Sequence, residues 1–140
     1  MLRKKILLLI VLLTLTACTE KKDNLLTTQA VIQTFEAAHI PLTKAVDADY
    51  FVLNGVSPDK YTLNRNYLFL YVFTSEEDAK KGLEDFQEQI QALNLVIPQI
   101  FEAKNVLLFY LTPGTRTDSF SDRDPQISSI IQSLLSSVPD

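Results

Sequence analysis

The chain has 140 residues, with 13 basic and 17 acidic side chains and a formal net charge of −4. One histidine and one cysteine leave little material for a metal site, a disulfide framework or a thiol–imidazole pair. The acidic balance argues against nucleic acid or anionic lipid surfaces as partners, and 46% hydrophobic content suffices for one modest core.

The chain opens with Arg3, Lys4 and Lys5, followed by an unbroken aliphatic run over 6–13 and then Leu15-Thr16-Ala17-Cys18. Basic residues, a short apolar run and small residues before a cut make the pattern of a secretory signal peptide. The run is too short for a membrane span, which needs about 20 residues. Residues 19–24 (TEKKDN) are all polar or charged and read as a solvated linker.

An aliphatic residue, two small residues and a cysteine resemble the signal of bacterial lipoproteins. The resemblance implies cleavage between Ala17 and Cys18 and transfer of a diacylglyceryl group to the Cys18 sulfur. It divides the chain into a signal peptide (1–17), a lipidated cysteine with a charged tether (18–26) and a single α+β domain (27–140). Each buried methylene contributes about 0.8 kcal/mol, so two acyl chains hold a protein firmly where one does not. The expected place is the extracytoplasmic face of a cell membrane. Thr19, where an aspartate would retain the protein at an inner membrane, points to the outer membrane if the source has one. All three basic residues of the leader would be lost, leaving 10 bases against 17 acids, or −7. With Cys18 acylated, the mature domain keeps no thiol and must rely on its core.

Thr27 or Thr28 can cap a first helix over 27–39, with Val31, Phe35 and Ala38 on one face and Ile40-Pro41 ending it. Residues 49–53 (DYFVL) read as a short strand, followed by the turn signals Asn54-Gly55 and Ser57-Pro58-Asp59. Residues 61–63 read as extended. Residues 67–73 (YLFLYVF) are apolar on both faces and read as a central strand.

Ser75 with acids at 76, 77 and 78 predicts a capped helix start. Ala79, Leu83, Phe86, Ile90 and Leu93 then form a heptad-like seam, which predicts packing on the sheet, and Asn94 fits the helix end. Residues 96–102 and 106–111 read as a hairpin around 103–105. Pro98 places the first of these strands at an edge.

Residues 112–124 form a polar loop. Asp124 caps a last helix that starts at Pro125 and carries an aliphatic stripe of Ile127, Ile130, Ile131, Leu134, Leu135 and Val138. The predicted order is αββαββα. It assembles as a four-stranded, mostly antiparallel sheet with helices packed on it.

Chemistry is thin. His39 is the lone histidine, and no nucleophile elbow offers it a serine. Asp118, Asp122 and Asp124 lie in one oxygen-rich loop, but no bidentate glutamate follows, so no metal is expected. No phosphate-cradling loop implies a cofactor. The one candidate binding surface is the row Tyr67, Phe69, Tyr71 and Phe73 on one face of the central strand. This row is either core under a helix or part of an open groove for a peptide, lipid or glycan.

The segments LNGVSPDKYTL (53–63), YLFLYVFTSEEDAKKG (67–82) and KNVLLFYL (104–111) are similar to small uncharacterised lipoproteins of Gram-positive bacteria. That resemblance implies one compact α+β domain and no site residue beyond Cys18. The expected function is a non-catalytic, membrane-anchored envelope lipoprotein that binds a small ligand or an envelope protein. The alternatives are an inhibitor or immunity-type protein using loop 112–124 with Phe120 as a plug, and a cell-wall hydrolase.

Overall fold

A computed structural model describes residues 24–46, 50–93, 95–113 and 124–136. The expected signal peptide with Ala17, the expected acylation position Cys18 and the expected tether as far as 23 lie outside the described residues. So do Asn94, the 114–123 part of the polar loop with Asp118, Phe120 and Asp122, and Val138.

The elements in chain order are α1 (Thr28–Ala37), β1 (Thr43–Lys44), β2 (Asp59–Leu63), β3 (Asn66–Val72), α2 (Glu76–Ile90), β4 (Gln99–Ala103), β5 (Val106–Leu111) and α3 (Pro125–Ser136). The class is α+β, as expected. The sheet has five strands rather than four, ordered β1-β2-β3-β5-β4, and every pairing is antiparallel. The order is therefore αβββαββα instead of αββαββα. β3 is central and β4, which follows Pro98, is an edge, both as the patterns predict.

The helix starts follow capping chemistry. Thr27 Oγ1 accepts from Ala30 N–H at 3.1 Å, and Ser75 Oγ accepts from Asp78 N–H at 3.0 Å. Asp124 Oδ1 accepts from Gln126 and Ile127 N–H ahead of Pro125. α1 ends before Pro41 acts. His39 adopts φ 59°, Ile40 N–H donates to Phe35 O at 2.9 Å and His39 N–H to Glu36 O at 2.9 Å. This is a Schellman motif with histidine in the left-handed position, and it leaves Ala38 exposed rather than on the buried face.

The sheet is covered on both faces. On the first, α1 (Val31, Phe35) and α3 (Ile127, Ile130, Ile131, Leu134) bury Leu68, Leu70, Leu108, Phe101 and their neighbours. On the second, α2 alone contributes Ala79 and Phe86 over Phe69, Tyr71, Phe73, Leu107 and Phe109. The remainder of that face is covered by residues 50–56.

That segment is the expected strand 49–53, and it does not join the sheet. Its described part lies over the second face, with only a tight turn of its own. Leu53 and Val56 exchange backbone hydrogen bonds around Asn54 (φ 45°) and Gly55 (φ 77°). Side chains satisfy its other backbone groups. Tyr71 Oη donates to Phe51 O at 2.7 Å, Gln89 Nε2 donates to Val52 O at 3.0 Å, and Asp85 Oδ2 accepts from Asn54 N–H at 2.7 Å. Buried backbone groups need partners of some kind. Here α2 and β3 supply them, and β2 with the two-residue β1 takes the edge instead.

One buried polar side chain fixes where the tether meets the domain. Asn105, in the β4–β5 turn, accepts from Leu26 N–H at 2.7 Å and donates to Leu26 O and Phe73 O at 3.0 and 2.8 Å. Lys104 beside it donates to Asn24 O at 3.3 Å. The chain therefore enters the domain at the hairpin-turn end of β5.

Candidate functional site

Along β5 the chain runs away from that entry point to Leu111. α2 runs the same way, antiparallel to β3, and ends near Leu111. At this far pole the second face is open among the described residues. Tyr50, Phe51 and Val52 form one wall, Gln89 and Leu93 of the α2 end another, and Leu95, Val96 and Leu111 the rest of a groove of about 830 Å³. Its size lies within the roughly 300–1,000 Å³ of small-molecule sites.

Among the described residues, seven large apolar side chains are exposed, and four of them, Val52, Leu93, Leu95 and Val96, line this groove, with Ile97 next in the chain. Leu93 is the last member of the α2 seam. Ala79 and Phe86 are buried, and Leu83 and Ile90 half-buried, as the spacing predicts, whereas α2 ends at Ile90, short of the expected end at Asn94, and Leu93 in the turn that follows, its N–H bonded to Ile90 O at 3.0 Å, is 49% exposed. Clustered apolar exposure of this kind marks a binding surface more often than isolated exposed residues do.

The amide of Gln89 in the wall is spent on scaffolding. Gln89 Nε2 also donates to Asp85 Oδ1 at 2.8 Å. The Asn54 N–H, and then Gln89, hold the Asp85 carboxyl below the usual range. Hydrogen bonds from the Thr74 and Ser75 hydroxyls do the same for Asp78. A general acid needs the opposite displacement. Tyr50 stacks on Phe69 with centroids 3.9 Å apart, and burial pushes its phenol up to about 12.

The four aromatic residues of the candidate surface divide. Phe69, Tyr71 and Phe73 are core beneath α2 and the 50–56 segment, so the row is not an open groove. Tyr67 alone is half-buried, and Lys60 Nζ lies 4.5 Å from its ring centroid. His39 sits exposed at the end of α1, which packs on the other face. Asp124 is a helix cap, and among the described residues no group of three or more His, Cys, Asp or Glu could hold a metal ion. No helix among them is long and apolar enough to cross a membrane.

Tyr50, Phe51, Val52, Leu95 and Val96 were not legible as site residues. Their signal was Leu93-Asn94-Leu95-Val96-Ile97-Pro98, a stretch too apolar for an ordinary helix-to-edge-strand connection, where polar residues prevail. Compared with known proteins, the chain matches no family model, no curated protein and no solved structure.

Proposed function

We propose that the chain is an exported lipoprotein, anchored through diacylglyceryl-Cys18, whose domain binds a ligand or an envelope partner without catalysis. The observation that carries the binding half is the apolar groove, lined by four exposed aliphatic side chains and by no charged group among the described residues. The anchor rests on the order of basic residues, apolar run and Leu15-Thr16-Ala17-Cys18. The Asp85 carboxyl, bonded to the groove residue Gln89, is held low rather than high, which favours binding over a hydrolase.

Two measurements test the halves separately. Metabolic palmitate labelling and the mass of the mature N-terminus test the anchor. Label lost in Cys18→Ala supports it, and an unmodified Cys18 sulfur contradicts it. Saturable fluorescence of the neutral dye Nile red tests the groove. Weakening by Leu93→Asp supports it, and unchanged titrations for the variant contradict it.

A further inference from the structure

The register of the sheet sets a cation beside this groove. On the second face, Lys60, Phe69, Phe109 and Ile100 form one cross-strand row, and Tyr67 and Leu111 lie in the next. Leu111 is a groove wall, and so is Tyr50, whose ring stacks on Phe69. Lys60 Nζ is 5.8 Å from the Phe69 centroid and 4.5 Å from that of Tyr67. The Lys60 ammonium and the rings of Tyr50 and Tyr67 therefore lie around the Phe69 ring, next to the groove walls Tyr50 and Leu111.

Lys60 forms no ion pair among the described residues, whereas Lys44 and Lys81 do. Its contacts are with ring faces, and it forms no hydrogen bond there. Neither do the hydroxyls of Tyr50 and Tyr67, in contrast to that of Tyr71. An apolar site with a few convergent polar tips is how small amphiphiles are oriented.

We infer that the groove takes a free long-chain carboxylic acid, its tail along Val52, Leu93 and Val96 and its carboxylate at Lys60, Tyr50 and Tyr67. This rests on the groove being the binding site. One ammonium balances one negative charge, which fits a carboxylate better than a dianionic phosphate. The acidic character of the whole chain slows the approach of an anion but does not cancel a local contact, because screening acts within about 8 Å at physiological salt. With Cys18 anchored as proposed, the position suits a single free chain better than a lipid still in the bilayer. The groove lies at the Leu111 end of β5 and the tether enters at the Asn105 end, about 20 Å away at 3.4 Å per residue.

The test uses the full mature chain from residue 18, with Cys18→Ser so that no acyl group competes. Calorimetric titration compares dodecanoate, dodecanol and dodecyl phosphate below micelle formation, and anionic phospholipid vesicles by sedimentation. Dodecanoate is expected to bind at least about tenfold tighter than dodecanol and tighter than dodecyl phosphate, and vesicles not to bind. Lys60→Gln should bring dodecanoate and dodecanol within about twofold, and Lys60→Arg should restore the difference. Tyr67→Phe, at a half-buried site, gives a smaller loss of the same preference and covers the case in which Lys60→Gln does not fold. Equal binding of acid and alcohol, a preference for the phosphate, vesicle binding, or a preference that survives both Lys60→Gln and Tyr67→Phe would overturn the inference. Equal binding of acid and alcohol leaves the groove reading intact; no binding of any chain or of Nile red removes both.

Discussion

The two faces of the sheet carry comparable apolar loads but are closed differently. On the first face two helices, α1 and α3, meet over aliphatic side chains, and Val31, Phe35 and Leu134 have no measurable exposure. On the second face one helix and an irregular segment share the work over an aromatic floor. The described part of the segment begins at Tyr50 and the helix ends at Ile90, and among the described residues the far pole stays open. Covering this face with one helix plus an irregular segment leaves room for the groove. The groove is therefore a product of topology more than of any special residue.

Substitutions can break this contrast. The largest effect is expected for Tyr71→Ala, at the centre of the second face. It should destabilise by about 3–5 kcal/mol in urea unfolding, as buried aromatic truncations do. A loss under 1 kcal/mol would mean that the 50–56 cover is open in solution.

The second effect is alkaline. Burial raises the phenols of Tyr50, to about 12, and of Tyr71 above the free value of 10. The unfolded chain releases these protons from about pH 10 upward while the folded chain keeps them. Stability is thus fully present below pH 10 and falls as pH rises through 10 to 12. Tyrosinate absorbance should then appear for these two groups together with unfolding. Their free titration near pH 10 in a folded protein would contradict the closed aromatic floor.

A smaller effect has a sign opposite to helix propensity. A Cβ at Gly82 would lie 2.5 Å from Phe73 Cζ. Gly82→Ala gains about 1 kcal/mol of propensity but overpacks the α2–β3 contact, which costs about 1–3 kcal/mol. A net loss of about 1 kcal/mol in thermal unfolding is expected, and a gain would show that α2 can lift. The smallest effect is at the groove itself. Leu95→Ser and Val96→Ser, at sites 48% and 40% exposed, should change stability by less than about 0.5 kcal/mol while weakening apolar binding.

How much of this was legible from the chain differs by element, for physical reasons. β3 and β5 are apolar on both faces, and only a central strand has that pattern. α2 and α3 announce themselves through Ser75 and Asp124-Pro125 and through their stripes. Residues 50–53 carry the composition of a strand because they bury the same aromatic surface as one. What separates a strand in the sheet from a segment laid across it is the source of its hydrogen bonds. Those come from Asp85, Gln89 and Tyr71, some 20 to 40 residues further along, which no local pattern reveals. β1 is too short to have a pattern, and β2 (DKYTL) begins in a turn signal. The groove is hidden for a related reason: Leu93 continues the spacing of the seam, but the helix ends at Ile90 and the turn that follows leaves Leu93 exposed.

The central claim is that the far pole of the second face is a binding site. The chain has no tryptophan, so Val96→Trp places a lone reporter on the groove wall. Leu135→Trp places one at an exposed apolar site on α3, across the sheet. Saturable quenching by Nile red at position 96 with little change at 135 is the expected result. Equal quenching at both positions, or none at 96, would contradict the account.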